Sequence, residues 1–164
     1  MNILVLGLGN DFYGDDGVGL EVVRTLKKEW AAAPPRPAEG CRVEFVESLL
    51  TGIGLIDVIV GCDALVIVDT IFKPDPVTGR IRLLEAEDIR DIPGPSPHYV
   101  SIPQTLTIGK QLGLRMPGVV KIIAVEAKPL YHLNEDLSED MKRRLPDIIA
   151  ATRDVISNLV ALSD

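Results

Sequence analysis

Apolar residues along this chain fall into blocks of two kinds, continuous runs and helically spaced sets. Residues 2–8, NILVLGL, read as a strand whose apolar run is unbroken from Ile3 to Leu8, the pattern of a strand covered on both faces. Leu20, Val22, Val23, Leu26 and Trp30 then recur at helical spacing, predicting a helix over 16–32. The stretch PPRPAEG, 34–40, ends it in a surface loop. RVEFVE, 42–47, alternates as a second strand, and TGIGLIDVIVG, 51–61, has helical spacing with Thr51 as its cap. ALVIVD, 64–69, is the clearest buried strand. After the turn KPDPVTGR, residues 80–84 predict a short strand, antiparallel at an edge. A stiff loop over 91–103 carries four prolines, a length and composition that point to function. A helix over 104–113 and a core strand over 119–125 follow. Ser138 caps a final helix with Leu137, Met141, Leu145, Ile149, Ile156 and Leu159 as its apolar stripe; Pro146 is expected to kink it.

Strands alternating with helices predict a single-domain, three-layer α/β/α sandwich over residues 1–164. Its sheet has about five strands and is mostly parallel, with one antiparallel edge strand. Ligands of such sheets sit beyond the carboxyl ends of the strands. The polar residues expected on that rim are Asn10 and Asp16 after the first strand, Glu47 after the second, Asp69 after the third and Glu126 after the last.

Charge narrows the function classes. Seventeen basic against 24 acidic residues give a net charge of −7, so no basic field favours nucleic acid or an anionic membrane. No run approaches the roughly 18 apolar residues of a membrane span. The two cysteines, Cys41 and Cys62, form no CxxC pair and fit packing positions in a reduced, cytoplasmic protein. Charged helix faces suit a monomer.

The stretch GLGNDFYGDDGVG, Gly7 to Gly19, has the glycines of a phosphate loop but the wrong charge. The dinucleotide fingerprint fails at its third glycine position, which is Phe12. Asp15 and Asp16 would repel a pyrophosphate. No GxSxG elbow or Walker sequence is present. Asp16, Asp69 and His98 of the proline loop, converging on the crevice, would instead make a three-ligand metal site. Two carboxylates and an imidazole suit zinc, nickel, iron or manganese. Each also has a plainer role: Asp15 as a helix cap, Asp16 at a helix dipole, Asp69 as a turn residue, His98 as a loop residue.

The combination of GLGNDFYGDDGVG with VIVDTI and SPH resembles the nickel–iron hydrogenase maturation proteases. These endopeptidases trim the C-terminus of the hydrogenase large-subunit precursor. The resemblance implies that Asp16, Asp69 and His98 bind a metal. It further implies that this metal is nickel supplied by the substrate, although other divalent metals could occupy the site. The precursor would be the partner. It leaves the base open between Asp15 and Asp16. Where several members carry Asp-Gly-Gly after the second strand, this chain reads ESLLTG. Glu47, Thr51 and Gly52 are therefore the candidates for recognising a different hydrogenase. Two alternatives stay open: a non-catalytic nickel-binding accessory protein of hydrogenase assembly, and an unrelated hydrolase on a similar fold.

Overall fold

A computed structural model describes residues 1–33, 40–86, 88, 102–129, 133 and 136–162. Five strands, β1 (Asn2–Leu8), β2 (Arg42–Ser48), β3 (Ala64–Phe72), β4 (Ile81–Glu85) and β5 (Val119–Ala127), form one sheet in the order β2-β1-β3-β5-β4. All pairings are parallel except β4 with β5. The helices are α1 (Val18–Ala32), α2 (Ile56–Ile59), α3 (Ile102–Gln111) and α4 (Glu139–Ala161).

The central strand β3 separates two cores by the period-two alternation of its side chains. Ala64, Val66 and Val68 pack with Val18, Val22 and Leu26 of α1 and with Met141, Ile148 and Ile156 of α4. Leu65, Ile67 and Ile71 pack on the other face with Leu55, Ile59, Ile102 and Leu106, from the α2 and α3 side. Trp30 at the end of α1 meets Phe45 of β2 edge-on, with ring centroids 5.5 Å apart. The three-layer sandwich with an antiparallel edge strand is therefore the architecture adopted.

Several elements differ from the sequence pattern. The first helix opens with a 3₁₀ turn, Gly14–Gly17, so Asp16 lies in that turn and not in α1. The helix expected over 51–61 shrinks to a 3₁₀ turn, Gly52–Leu55, and the single turn α2. Gly52 adopts φ +60 there, and the remaining Ile and Val residues are weak helix formers. Thr51 stands at the cap position, but its side chain makes no capping hydrogen bond. Strand β3 runs three residues beyond Asp69 because β5 accompanies it as far as the Phe72–Ala127 pair. Helix α4 spans Glu139–Ala161 with Pro146 inside it, as the sequence places it. Ser138 does cap it, its Oγ accepting from the Met141 amide at 3.2 Å. Most of the proline loop, 91–103, and the segment 34–39 lie outside the described residues.

Candidate functional site

The strand order reverses direction between β1 and β3. The chain leaves β1 through α1 on one face and leaves β3 towards α3 on the other, which opens a crevice at their carboxyl ends. β1 pairs with β3 only as far as Gly7 and Val68. Beyond that pair β3 continues, and Asp69 and Thr70 line the notch left by the end of β1.

The glycine-rich stretch is shaped by close packing. Asn10 builds its first turn, its Oδ1 accepting from the Phe12 amide at 3.0 Å and its carbonyl from the Tyr13 amide at 3.1 Å. Gly9 has φ +139, and a side chain there would run into the Asp16 carbonyl. A methyl on Gly19 would be driven into the carbonyl oxygens of Val68 and Leu8. The glycines thus let the start of α1 settle on β1 and β3, which places the two acids at the crevice.

Asp15 and Asp16, adjacent and both buried, take different partners. Asp15 Oδ1 accepts from the Ser138 amide at 2.7 Å and its Oδ2 from the Ser138 hydroxyl at 2.8 Å. Asp15 therefore holds the N-terminus of α4, 123 residues away, and does not cap α1. Asp16 Oδ1 accepts from the Thr70 hydroxyl at 2.8 Å. Asp69, fully buried, has Oδ1 at 2.7 Å from the Thr70 amide. Two of the three candidate ligands thus share one neighbour, Thr70, while His98 lies outside the described residues. Among the described residues no group of three or more His, Cys, Asp or Glu is arranged to hold a metal.

The other rim acids have structural partners. Glu47 accepts from Arg24 Nε at 2.7 Å, and Arg24 also grips both oxygens of Asp11, at 3.1 and 2.6 Å. These carboxylates raise the Arg24 pKa, chiefly through the Asp11 bonds. Glu126, buried at 1% exposure, accepts from Lys73 at 3.0 Å, Arg82 at 2.9 Å and the Val77 amide at 3.2 Å. Burial pushes its pKa up, but these bonds outweigh it and hold the carboxyl at about 2. It ties β4 and the preceding loop to β5, so the expected rim acid is a structural anchor.

Burial pushes the Cys62 thiol up to about 11. Its Sγ lies 3.1 Å from the Ile59 carbonyl, at the end of the sheet opposite the crevice, the surroundings of a packing cysteine and not of an activated thiolate. Around the crevice end, Phe12, Tyr13, Leu49, Leu50 and Ile53 are exposed on the segments following β1 and β2. A cleft of about 570 Å³ lies beside the glycine-rich turn, lined in part by Asp11, Phe12, Arg24 and Lys142. Neither Asp16 nor Asp69 lines it, so this hollow and the paired carboxylates are separate features. Thr70 escaped the sequence reading because a threonine after a strand aspartate carries no motif signal.

The family model described as HycI, hydrogenase maturation protease, matches residues 20–154. The chain belongs to the hydrogenase maturation protease family. Members of this family are peptidases and therefore hydrolases. The chain is 26% identical over 150 residues to the hydrogenase expression/formation protein HupD of Thiocapsa roseopersicina, covering 90% of this chain and 64% of that protein. It therefore spans less than two thirds of that relative. It is 24% identical to the hydrogenase 2 maturation protease of Escherichia coli, covering 94% and 92% of the two chains.

The fold is also that of solved proteins. The hydrogenase maturating endopeptidase HybD from Escherichia coli superposes with a TM-score of 0.71 at 21% identity, over 94% of each chain. The nickel–iron hydrogenase maturation protease HybD from Thermococcus kodakarensis gives 0.67 at 23% identity, over 94% of this chain and 99% of that one.

Proposed function

We propose that this protein is an endopeptidase that removes the C-terminal extension of a nickel–iron hydrogenase large-subunit precursor after nickel insertion. The observation that carries the reading is the pairing of Asp16 and Asp69 through Thr70 at the switch point, joined to the family membership. The precursor's own nickel is the feature recognised. Asp16 and Asp69 supply hard oxygen ligands, and His98, assigned by the resemblance, supplies the nitrogen.

Binding the metal at three points fixes the adjoining peptide beside the crevice, so much of the rate enhancement is positional. The substrate's metal also polarises a carbonyl or a water. Asp15 spends both oxygens on Ser138, which favours a structural role for it and leaves Asp16 as the acid near the reacting group. The exposed apolar residues Phe12, Leu49, Leu50 and Ile53, with Thr51 and Gly52 between them, form the surface that meets the precursor. Glu47 acts indirectly, by fixing Arg24.

The test is mass spectrometry of the precursor's C-terminus after incubation with the enzyme. Nickel-loaded precursor is expected to be shortened and nickel-free precursor to remain intact. Asp69→Asn and His98→Ala should each lower the rate by about 10- to 100-fold or more. Equal cleavage of both precursors would refute recognition through nickel, and an unshortened loaded precursor would favour the non-catalytic accessory role.

A further inference from the structure

Thr70 stands between the two candidate ligands, and its chemistry suits that place. It is 1% exposed, two residues past the last β1–β3 partner pair, Gly7 with Val68. Its side chain follows the register of Ala64, Val66 and Val68, towards the α1 face, where the turn bearing Asp16 arrives. An ionised carboxylate only accepts hydrogen bonds, so the Thr70 hydroxyl commits its single proton to Asp16 Oδ1, at 2.8 Å. The amide of the same residue is committed to Asp69 Oδ1, at 2.7 Å. A β-branched side chain on a strand has little χ1 freedom, so the backbone of β3 sets the direction of that hydroxyl.

We infer that Thr70 is a positioning residue that presets the Asp16 carboxylate relative to Asp69 for a divalent cation. The inference rests on the metal reading above. Fixing one oxygen of Asp16 fixes the plane of its carboxylate and therefore where the second oxygen lies. The amide bond does the same for Asp69. Because one residue makes both bonds, Thr70 ties the Asp16 and Asp69 carboxylates to the same position of β3. Partners of this kind around metal ligands change affinity by about 10- to 100-fold when removed. Asp15 steadies the same turn from the other side through Ser138, which leaves Thr70 the local control over Asp16.

The experiment is calorimetric titration of the full chain with nickel alone, using wild type, Thr70→Val, Thr70→Ser, Asp16→Asn, Asp69→Asn and the double variant Thr70→Val/Asp16→Asn. Thermal melts run beside it. Thr70→Val is expected to bind nickel about 10- to 100-fold more weakly, and Thr70→Ser, which restores the hydroxyl, to recover most of that loss. In the Asp16→Asn background Thr70→Val should add little, because the effect passes through Asp16. Should Thr70→Val not fold, Thr70→Ala against Thr70→Ser carries the same expectation.

Wild-type affinity in a folded Thr70→Val overturns the inference, and so does an equal loss in Thr70→Ser, which would trace the effect to packing. If Asp16→Asn and Asp69→Asn bind nickel like the wild type, the metal reading itself fails. If those two lose affinity while Thr70→Val does not, only the role of Thr70 falls.

Discussion

Removing the Asp15 carboxylate separates a structural acid from a catalytic one. In Asp15→Ala, two hydrogen bonds to a charged acceptor disappear, at 2.7 and 2.8 Å from the Ser138 amide and hydroxyl. Each such bond contributes about 1.5–3 kcal/mol. Ser138 is itself exposed, so water can replace Asp15 on its amide, and the expected loss falls to or just under the low end of the two-bond sum, about 2–3 kcal/mol. For a chain of this size that lowers Tm by about 5–10 °C.

Ser138→Ala keeps the amide bond but loses the hydroxyl, and with it the cap on the Met141 amide, for about 1–2 kcal/mol. Because the two residues touch, the double variant should cost less than the sum, with a coupling of about 1 kcal/mol. Equilibrium unfolding in urea measures all three. A coupling indistinguishable from zero, or an Asp15→Ala loss under about 0.5 kcal/mol, would refute the α4 anchor. Asp15→Asn, which keeps an acceptor for the amide, should cleave the precursor at a near wild-type rate; a folded Asp15→Asn without activity would make Asp15 the base after all.

Two other perturbations follow from the same geometry. Gly19→Ala forces a methyl against the Val68 and Leu8 carbonyls and should cost about 1–3 kcal/mol or more by overpacking. Gly54→Ala, whose nearest neighbour would be a Leu50 side-chain atom at 3.9 Å, is the near-neutral control, and equal melting of the two variants would count against the packing argument. For Glu126, the folded pKa of about 2 lies below its ordinary 4.5. The unfolded chain therefore binds the extra proton first as pH falls. The stabilisation is complete above pH about 4.5 and is lost as pH drops towards 2, up to about 3 kcal/mol. Acid titration of stability should show this limb in the wild type and a flatter one in Glu126→Gln, and superimposable acid limbs would remove Glu126 from the account.

Apolar runs were enough to place β1, β3 and β5, because a doubly covered strand is apolar on both faces, while alternation placed β2 and the turn KPDPVTGR announced the edge strand β4. Helix α2 was misjudged because periodicity in 51–61 says nothing of Gly52 at φ +60 or of how short a crossover the sheet demands. Asp16 and Asp69 were legible as acids following buried strands. Glu47 and Glu126 carried the same signal, yet Arg24 engages the first, and Lys73 and Arg82 the second.

The sequence by itself therefore determined the layers, the strand count and the direction of the strands, since these follow from local pattern and chain connectivity. Only the tertiary structure decided which acids are tied to basic partners and which two bond the same residue, Thr70. Hydrogen bonds between residues 123 positions apart, as for Asp15 and Ser138, or 54 apart, as for Thr70 and Asp16, depend on how helices, turns and strands are set against one another. No local pattern encodes that packing.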